Sequence, residues 1–270
     1  MKMNMKKIFK SFLILILFAF ICLPIHAQNR LNKILEKGEI VIGMSGNQPP
    51  FSMKSKSGEL IGYEVDIAKL LAQSMSVKLK IEQIPFPDLL QALKEGKVDL
   101  VMSGMTMTPK RNLEAAFVGP YILSGKSILT KSSILAKASN SEEINQANLK
   151  LATLKGSTSE DFVKNFLTDT DLSLVNNYDE AVKLLSDDQV DAVVADYPIC
   201  ILTMARYPDA GFATLNQPIT LEPIGMALPP DDVLLLNMIQ NYFNAMQLAG
   251  LLEGLEQYWF EDGSWLLQVE

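Results

Sequence analysis

The chain has 270 residues, with 24 lysines and arginines against 31 acids, a net charge of −7, and one histidine. That balance argues against a nucleic-acid partner, which would need a basic face. The first 27 residues hold four lysines and no acid, so without them the count is 20 bases against 31 acids, or −11.

Those first residues read as a cleaved export signal. Lys2, Lys6, Lys7 and Lys10 make a basic start, Phe12 to Leu23 an apolar run, and Ile25-His26-Ala27 a small-residue cleavage site that leaves Gln28 as the new N-terminus. The run is short for a membrane span, which needs roughly 20 residues. A lipidated cysteine normally follows a small residue, and Ile21 precedes Cys22, so a free periplasmic protein is expected rather than a lipoprotein. His26, the only histidine, leaves with the signal. The remaining chain cannot run a Ser-His-Asp or Cys-His mechanism or offer a His-containing zinc site. No metal or cofactor is expected. Cys200, alone, can form no internal disulfide, so the core itself must stabilise the fold.

Strand and helix patterns then alternate. Glu39-Ile40-Val41-Ile42-Gly43 reads as a buried strand and Glu64 to Met75 as an amphipathic helix. Val77 to Ile81 alternates with period two, as a strand does. Pro87 to Glu95 is a helix that ends at Gly96, and Val98 to Met102 another strand. This β-α-β-α-β order implies a mainly parallel sheet flanked by helices.

The pattern restarts with strands at Leu149 to Thr153, Leu172 to Val175 and Val190 to Ala195. Helices follow them at Ser157 to Phe166, Asp179 to Leu185 and Pro198 to Ala205. Gly96-Lys97-Val98-Asp99-Leu100-Val101 and Asp188-Gln189-Val190-Asp191-Ala192-Val193 form a related pair, which suggests two similar lobes. After Pro218 come an apolar stretch, Pro223 to Leu228, and helices at about Asp231 to Ala249 and Leu251 to Phe260.

Two stretches of the first half carry a family likeness. Gly62-Tyr63-Glu64-Val65-Asp66-Ile67-Ala68-Lys69-Leu70-Leu71-Ala72 and Met102-Ser103-Gly104-Met105-Thr106-Met107-Thr108-Pro109-Lys110-Arg111 resemble the two signatures of the family 3 extracytoplasmic solute-binding proteins of amino-acid uptake. The resemblance covers nearly the whole exported chain. It implies an α/β type II periplasmic-binding-protein fold of two lobes, each a mainly parallel sheet flanked by helices. Lobe 1 would comprise 28–123 with 222–270 and lobe 2 124–221, joined by strands crossing near Tyr121–Ser127 and Thr220–Met226. Sequence alone would equally allow two consecutive domains. The likeness further implies a monomer that shuts on an amino acid and delivers it to the membrane permease of an ABC transporter.

Each candidate residue has a bland reading beside the functional one. Arg111 could be a surface arginine near a helix start; inside this motif the resemblance makes it the group that grips the ligand carboxylate, through two parallel charged hydrogen bonds. Ser103, Gly104 and Thr106 would complete the cradle, Gly104 by letting ligand approach the backbone. Gly156-Ser157-Thr158-Ser159 could be an ordinary N-cap; its free amides and positive helix end also suit an anion. The family pattern puts Ser157 and Thr158 on the ligand, and Leu154 beside it. Asp196 could cap the helix before Pro198, or accept the ligand ammonium. Phe51 and Phe86 are aromatic candidates, Phe86 being the better placed for a cleft.

Ser45 and Gln48 stand where many relatives have an acid and an aromatic. The missing acid argues against a cationic ligand and for a neutral side chain. Two rivals remain open: an exported cyclohexadienyl dehydratase on the same fold, with Glu222 or Asp196 as its acid, and a sensor subunit that reports ligand to a membrane receptor.

Overall fold

The computed structural model describes residues 29–269; the expected signal, 1–27, lies outside them. Helix α1 (Arg30–Lys37) precedes β1 (Glu39–Met44). A small hairpin, β2 (Met53–Lys54) with β3 (Leu60–Ile61), leads into α2 (Tyr63–Ser74). Then come β4 (Lys78–Gln83), α3 (Leu89–Lys94), β5 (Leu100–Val101), the short α4 (Pro109–Asn112) and β6 (Ala116–Ser124). β7 (Lys126–Thr130), α5 (Ser141–Ile144), β8 (Lys150–Leu154), α6 (Thr158–Phe166) and β9 (Asp171–Val175) follow. Next are α7 (Tyr178–Ser186), β10 (Ala192–Asp196), α8 (Tyr197–Arg206) and β11 (Ala213–Thr214). The chain finishes with β12 (Glu222–Leu228), α9 (Val233–Leu248), α10 (Leu251–Glu256) and two irregular helical turns, Gln257–Asp262 and Ser264–Gln268.

Two five-stranded sheets result, ordered β4-β1-β5-β12-β6 and β11-β7-β10-β8-β9. Both are mixed: each keeps the expected parallel set of strands and adds one reversed strand. β1 runs parallel to β4 and β5, but β12 is antiparallel to β5 and β6. Likewise β8 runs parallel to β9 and β10, while β7 is antiparallel to β10 and β11. The βαβ repeats build the parallel half of each sheet. The antiparallel pairs arise because one strand at the crossings, β12 in the first sheet and β7 in the second, runs against the other four.

The related sequence pair does the same work in both sheets. The Asp99 carboxylate accepts from Val41 N–H at 2.8 Å, and its own N–H donates to Val41 O at 2.7 Å. Asp191 repeats this on Lys150, at 2.8 Å in both directions. Gly96 and Asp188, three residues earlier, both take a positive φ, +72° and +55°. Each aspartate thus ends the turn and starts its strand later than apolar pattern alone suggests. Strand pairing begins at Leu100 rather than Val98, and at Ala192 rather than Val190.

The sheets are joined where β6 becomes β7, at Gly125, and where the chain returns into β12. The two crossings touch: Lys126 N–H donates to Thr220 Oγ1 at 2.8 Å, and Ile219 N–H donates to Lys126 O at 2.8 Å. A Cβ on Gly125 would stand 1.8 Å from Thr220 O, so only glycine fits here. Among the described residues, no helix is long and apolar enough to cross a membrane.

Candidate functional site

The loop between β5 and α4 is pinned from both sides. Met102 N–H donates to Gly43 O on β1, while Gly225 N–H donates to Met105 O and Met107 N–H to Pro223 O on β12. Thr106 makes a bridge to Ile224. The loop therefore lies on the crossing strand, beyond the end of β1, in the region where open α/β sheets hold ligands.

Arg111 follows Thr108, which caps α4 by accepting from Arg111 N–H at 3.2 Å. Its guanidinium donates to Thr106 O at 2.8 Å and, across the lobes, to Gly156 O at 3.3 Å. It lies over the Phe86 ring, 5.6 Å from the centroid. Phe86 is thus a platform for the arginine. Burial pushes the Arg111 pKa down, against the opposing pull of Glu222, Asp161 and Asp196.

Thr106 and Thr158 face each other from the two lobes, their hydroxyls 3.2 Å apart. Both donate to Glu222 Oε2, at 3.0 and 2.8 Å. Glu222 begins β12, and Lys126 begins β7, so both belong to the crossings. Lys126 Nζ lies 2.9 Å from that same Glu222 oxygen and 2.5 Å from Asp196 Oδ1. Lys126 is 1 % exposed and Asp196 5 %. Asp196 ends β10 but makes no capping bond; its partner is the ammonium. Burial raises the Asp196 pKa, with Lys126 opposing and Glu222 adding to the rise. Burial also acts to raise that of Glu222, but the Lys126 ammonium and the Thr158 and Thr106 hydroxyls outweigh it, and the net shift is downward.

The remaining candidates divide. Ser45, Gln48 and Ser103 form one buried network, with both hydroxyls 2.8–3.0 Å from Gln48 Oε1. Beside it opens a polar space of about 510 Å³, lined by Ser45, Asn47 and Gln83 from one lobe and Asn177, Asp179 and Arg206 from the other. Gly104 N–H donates to Glu64 at 2.7 Å, not into the cleft. A Cβ there would make only ordinary contacts, at 3.6 Å from Gln48 and Phe51; what the position demands is its φ of +57°. Phe51 packs edge-on against Phe260 with centroids 5.6 Å apart, and its side chain is fully buried, so its place is in the core rather than on a ligand. Leu154 is buried at the end of β8. Ser157 caps α6, accepting from Glu160 N–H at 3.2 Å and donating to Leu154 O at 2.6 Å.

Sequence reasoning missed Lys126 and the buried role of Glu64. The signal for Lys126 was present: a lone charge between Tyr121-Ile122-Leu123 and Ile128-Leu129 in a predicted crossing strand. Glu64 was read as part of a helix; its carboxylate instead accepts from Tyr121 OH and Gly104 N–H, beneath the loop. Among the described residues, no group of three or more His, Cys, Asp or Glu side chains could hold a metal ion.

Comparison with known proteins gives the family and the fold. The profile of the bacterial extracellular solute-binding proteins, family 3, matches residues 40–262. The L-cystine-binding protein TcyJ of Escherichia coli is 24 % identical over 85 % of this chain and 85 % of its own. Cyclohexadienyl dehydratase of Pseudomonas aeruginosa is 25 % identical, over 87 % of each chain. The crystal structure of an ancestral amino acid-binding protein, a precursor of cyclohexadienyl dehydratase, superposes with a TM-score of 0.78 at 33 % identity, covering 86 % of this chain and all of that one.

Proposed function

The chain belongs to the bacterial extracellular solute-binding proteins of family 3, and from that premise we propose that it captures an α-amino acid with a neutral side chain and delivers it to an ABC-type permease. In this reading residues 1–27 are a cleaved signal, 28–123 with 222–270 form one lobe and 124–221 the other. One observation supports it: Thr106 and Thr158 face each other from the two lobes, Arg111 reaches across to Gly156 O beside them, and Asp196 is linked to them through Lys126 and Glu222; in this reading the first three hold a carboxylate and the last an ammonium. A ligand held by both lobes favours the shut form, because only contacts that differ between open and shut can shift that equilibrium. The polar space beside Ser45 suits an uncharged polar side chain. Its Asp179 is 3.7 Å from Arg206, and Ser45 supplies no acid of its own.

A thermal-shift screen of residues 28–270 against the common L-amino acids tests the reading, since a ligand of the native state raises the melting temperature with concentration. Arg111→Ala should abolish that shift and change the unliganded stability by no more than about 1 kcal/mol. An undiminished shift in the variant would rule out the carboxylate clamp.

A second reading, a dehydratase, rests on the match to cyclohexadienyl dehydratase. Acid catalysis needs a carboxyl that keeps its proton near the working pH. Glu222 is shifted the other way; burial does shift Asp196 upward, but its carboxylate is engaged by the Lys126 ammonium. The non-enzymatic reading is therefore the better supported. Release of phenylpyruvate from prephenate would reverse the choice.

A further inference from the structure

The donors and acceptors gathered in the cleft are already engaged by the chain itself. The Glu222 carboxylate takes both threonine hydroxyls. The Lys126 ammonium takes Asp196. The two groups also pair with each other, at 2.9 Å. A carboxylate and an ammonium side by side, one on hydroxyl donors below Arg111 and one on a buried aspartate, have the polar outline of an amino-acid head group. Glu222 opens β12 on the first lobe and Lys126 opens β7 on the second, so the pair spans the crossings, and Glu222 meets a threonine from each lobe.

We infer that Lys126 and Glu222 act as an internal stand-in for a zwitterionic ligand, latching the two lobes together and yielding their places to a ligand by exchange. The inference deepens the capture reading and rests on it only for which donors the ligand takes over. The exchange is balanced in charge. An incoming carboxylate replaces Glu222 on Thr106 and Thr158, an incoming ammonium replaces Lys126 on Asp196, and the displaced pair keeps each other. No buried charge is left without a partner, which would be the costly outcome. A ligand offering only one of the two charges displaces only half of the stand-in. Lys126 and Glu222 thereby become specificity-determining residues: they set the standard that a ligand head group must exceed.

The latch can be read without knowing the ligand. Small-angle X-ray scattering is measured on residues 28–270, which include every described residue, after unfolding, dialysis and refolding to strip carried-over solutes. The wild type should be compact. Glu222→Ala should enlarge the radius of gyration by about 1 Å, a hinge opening, with an unchanged far-ultraviolet circular dichroism spectrum. Should Glu222→Ala fail to refold, Thr158→Val decides instead, since it removes one donor of the latch and leaves every buried charge paired. Equal radii for the wild type and the deciding variant, whether both compact or both extended, overturn the inference. Failure of the capture reading looks different: no amino acid would shift the melting temperature, while the radii would still separate.

Discussion

A single lysine and a single glutamate show how burial decides what a charge costs. Lys126 is enclosed and faces two carboxylates, Asp196 and Glu222. Lys126→Met would leave both acids buried without their cation, an arrangement that costs about 3–5 kcal/mol. Urea unfolding at neutral pH should show that loss, and a loss below about 1 kcal/mol would make the pair a surface-like ion pair. Glu64 is the opposite case, an acid with no cation. Burial, opposed by the Tyr121 hydroxyl and the Gly104 amide, pushes its pKa up to about 7 from 4.5. A carboxyl raised in the folded state costs nothing below its unfolded pKa and destabilises as pH climbs through the folded one. Stability should therefore fall between about pH 4.5 and 7 by about 3 kcal/mol from this group, then level off. Glu64→Gln keeps an oxygen for both donors and should abolish that slope, making the variant the more stable chain at pH 8 and its equal near pH 4. Parallel stability curves for the two chains would remove Glu64 as the source.

At the scale of elements, the sequence disclosed the longer central strands and helices in order, because apolar periodicity and glycine punctuation are local, but not α1, the β2-β3 hairpin, α5 or β11. What it concealed was held by distant partners. The late starts of β5 and β10 depend on Asp99 and Asp191 closing onto other strands, and the one reversed strand in each sheet, β12 or β7, depends on where the crossings lie. For the site, the signature loop and Asp196 were legible, but the partner of Asp196 was not, since Lys126 lies 70 residues away in sequence. Gly125 shows the same limit: nothing in its neighbours announces that Thr220 O crosses at that point. Gly125→Ala would force the crossings apart, and overpacking of this kind costs about 1–3 kcal/mol. The variant should melt earlier and, because the strain sits at the link between the sheets, lose affinity for any ligand that needs both lobes. Wild-type stability in Gly125→Ala would show that the crossings can separate freely.

For the molecule as a whole, the question is what keeps a discontinuous first lobe in one piece when its last strand returns from the second lobe. The C-terminal turns supply part of the answer. Trp259 Nε1 donates to Asp66 on α2 at 3.0 Å, Trp265 Nε1 donates to Trp259 O at 3.1 Å, and Lys56 N–H donates to Gln268 O at 2.8 Å. The end of the chain is thereby fastened to the hairpin and helix that precede the signature loop. It also borders the second lobe, where an apolar space of about 300 Å³ lies between Trp259, Phe260 and Trp265 on one side and Tyr197, Ile201 and Leu202 of α8 on the other. Trp265 is 1 % exposed, so its ring is core despite its place five residues from the end. Trp265→Ala opens a cavity beside Trp259 and removes an indole anchor; such a truncation costs about 3–5 kcal/mol. Trp259 would then be the one tryptophan left to report unfolding by its fluorescence. If the tail only decorates the lobe, the stability from urea unfolding will hardly change; if it closes the lobe, that stability falls by this amount.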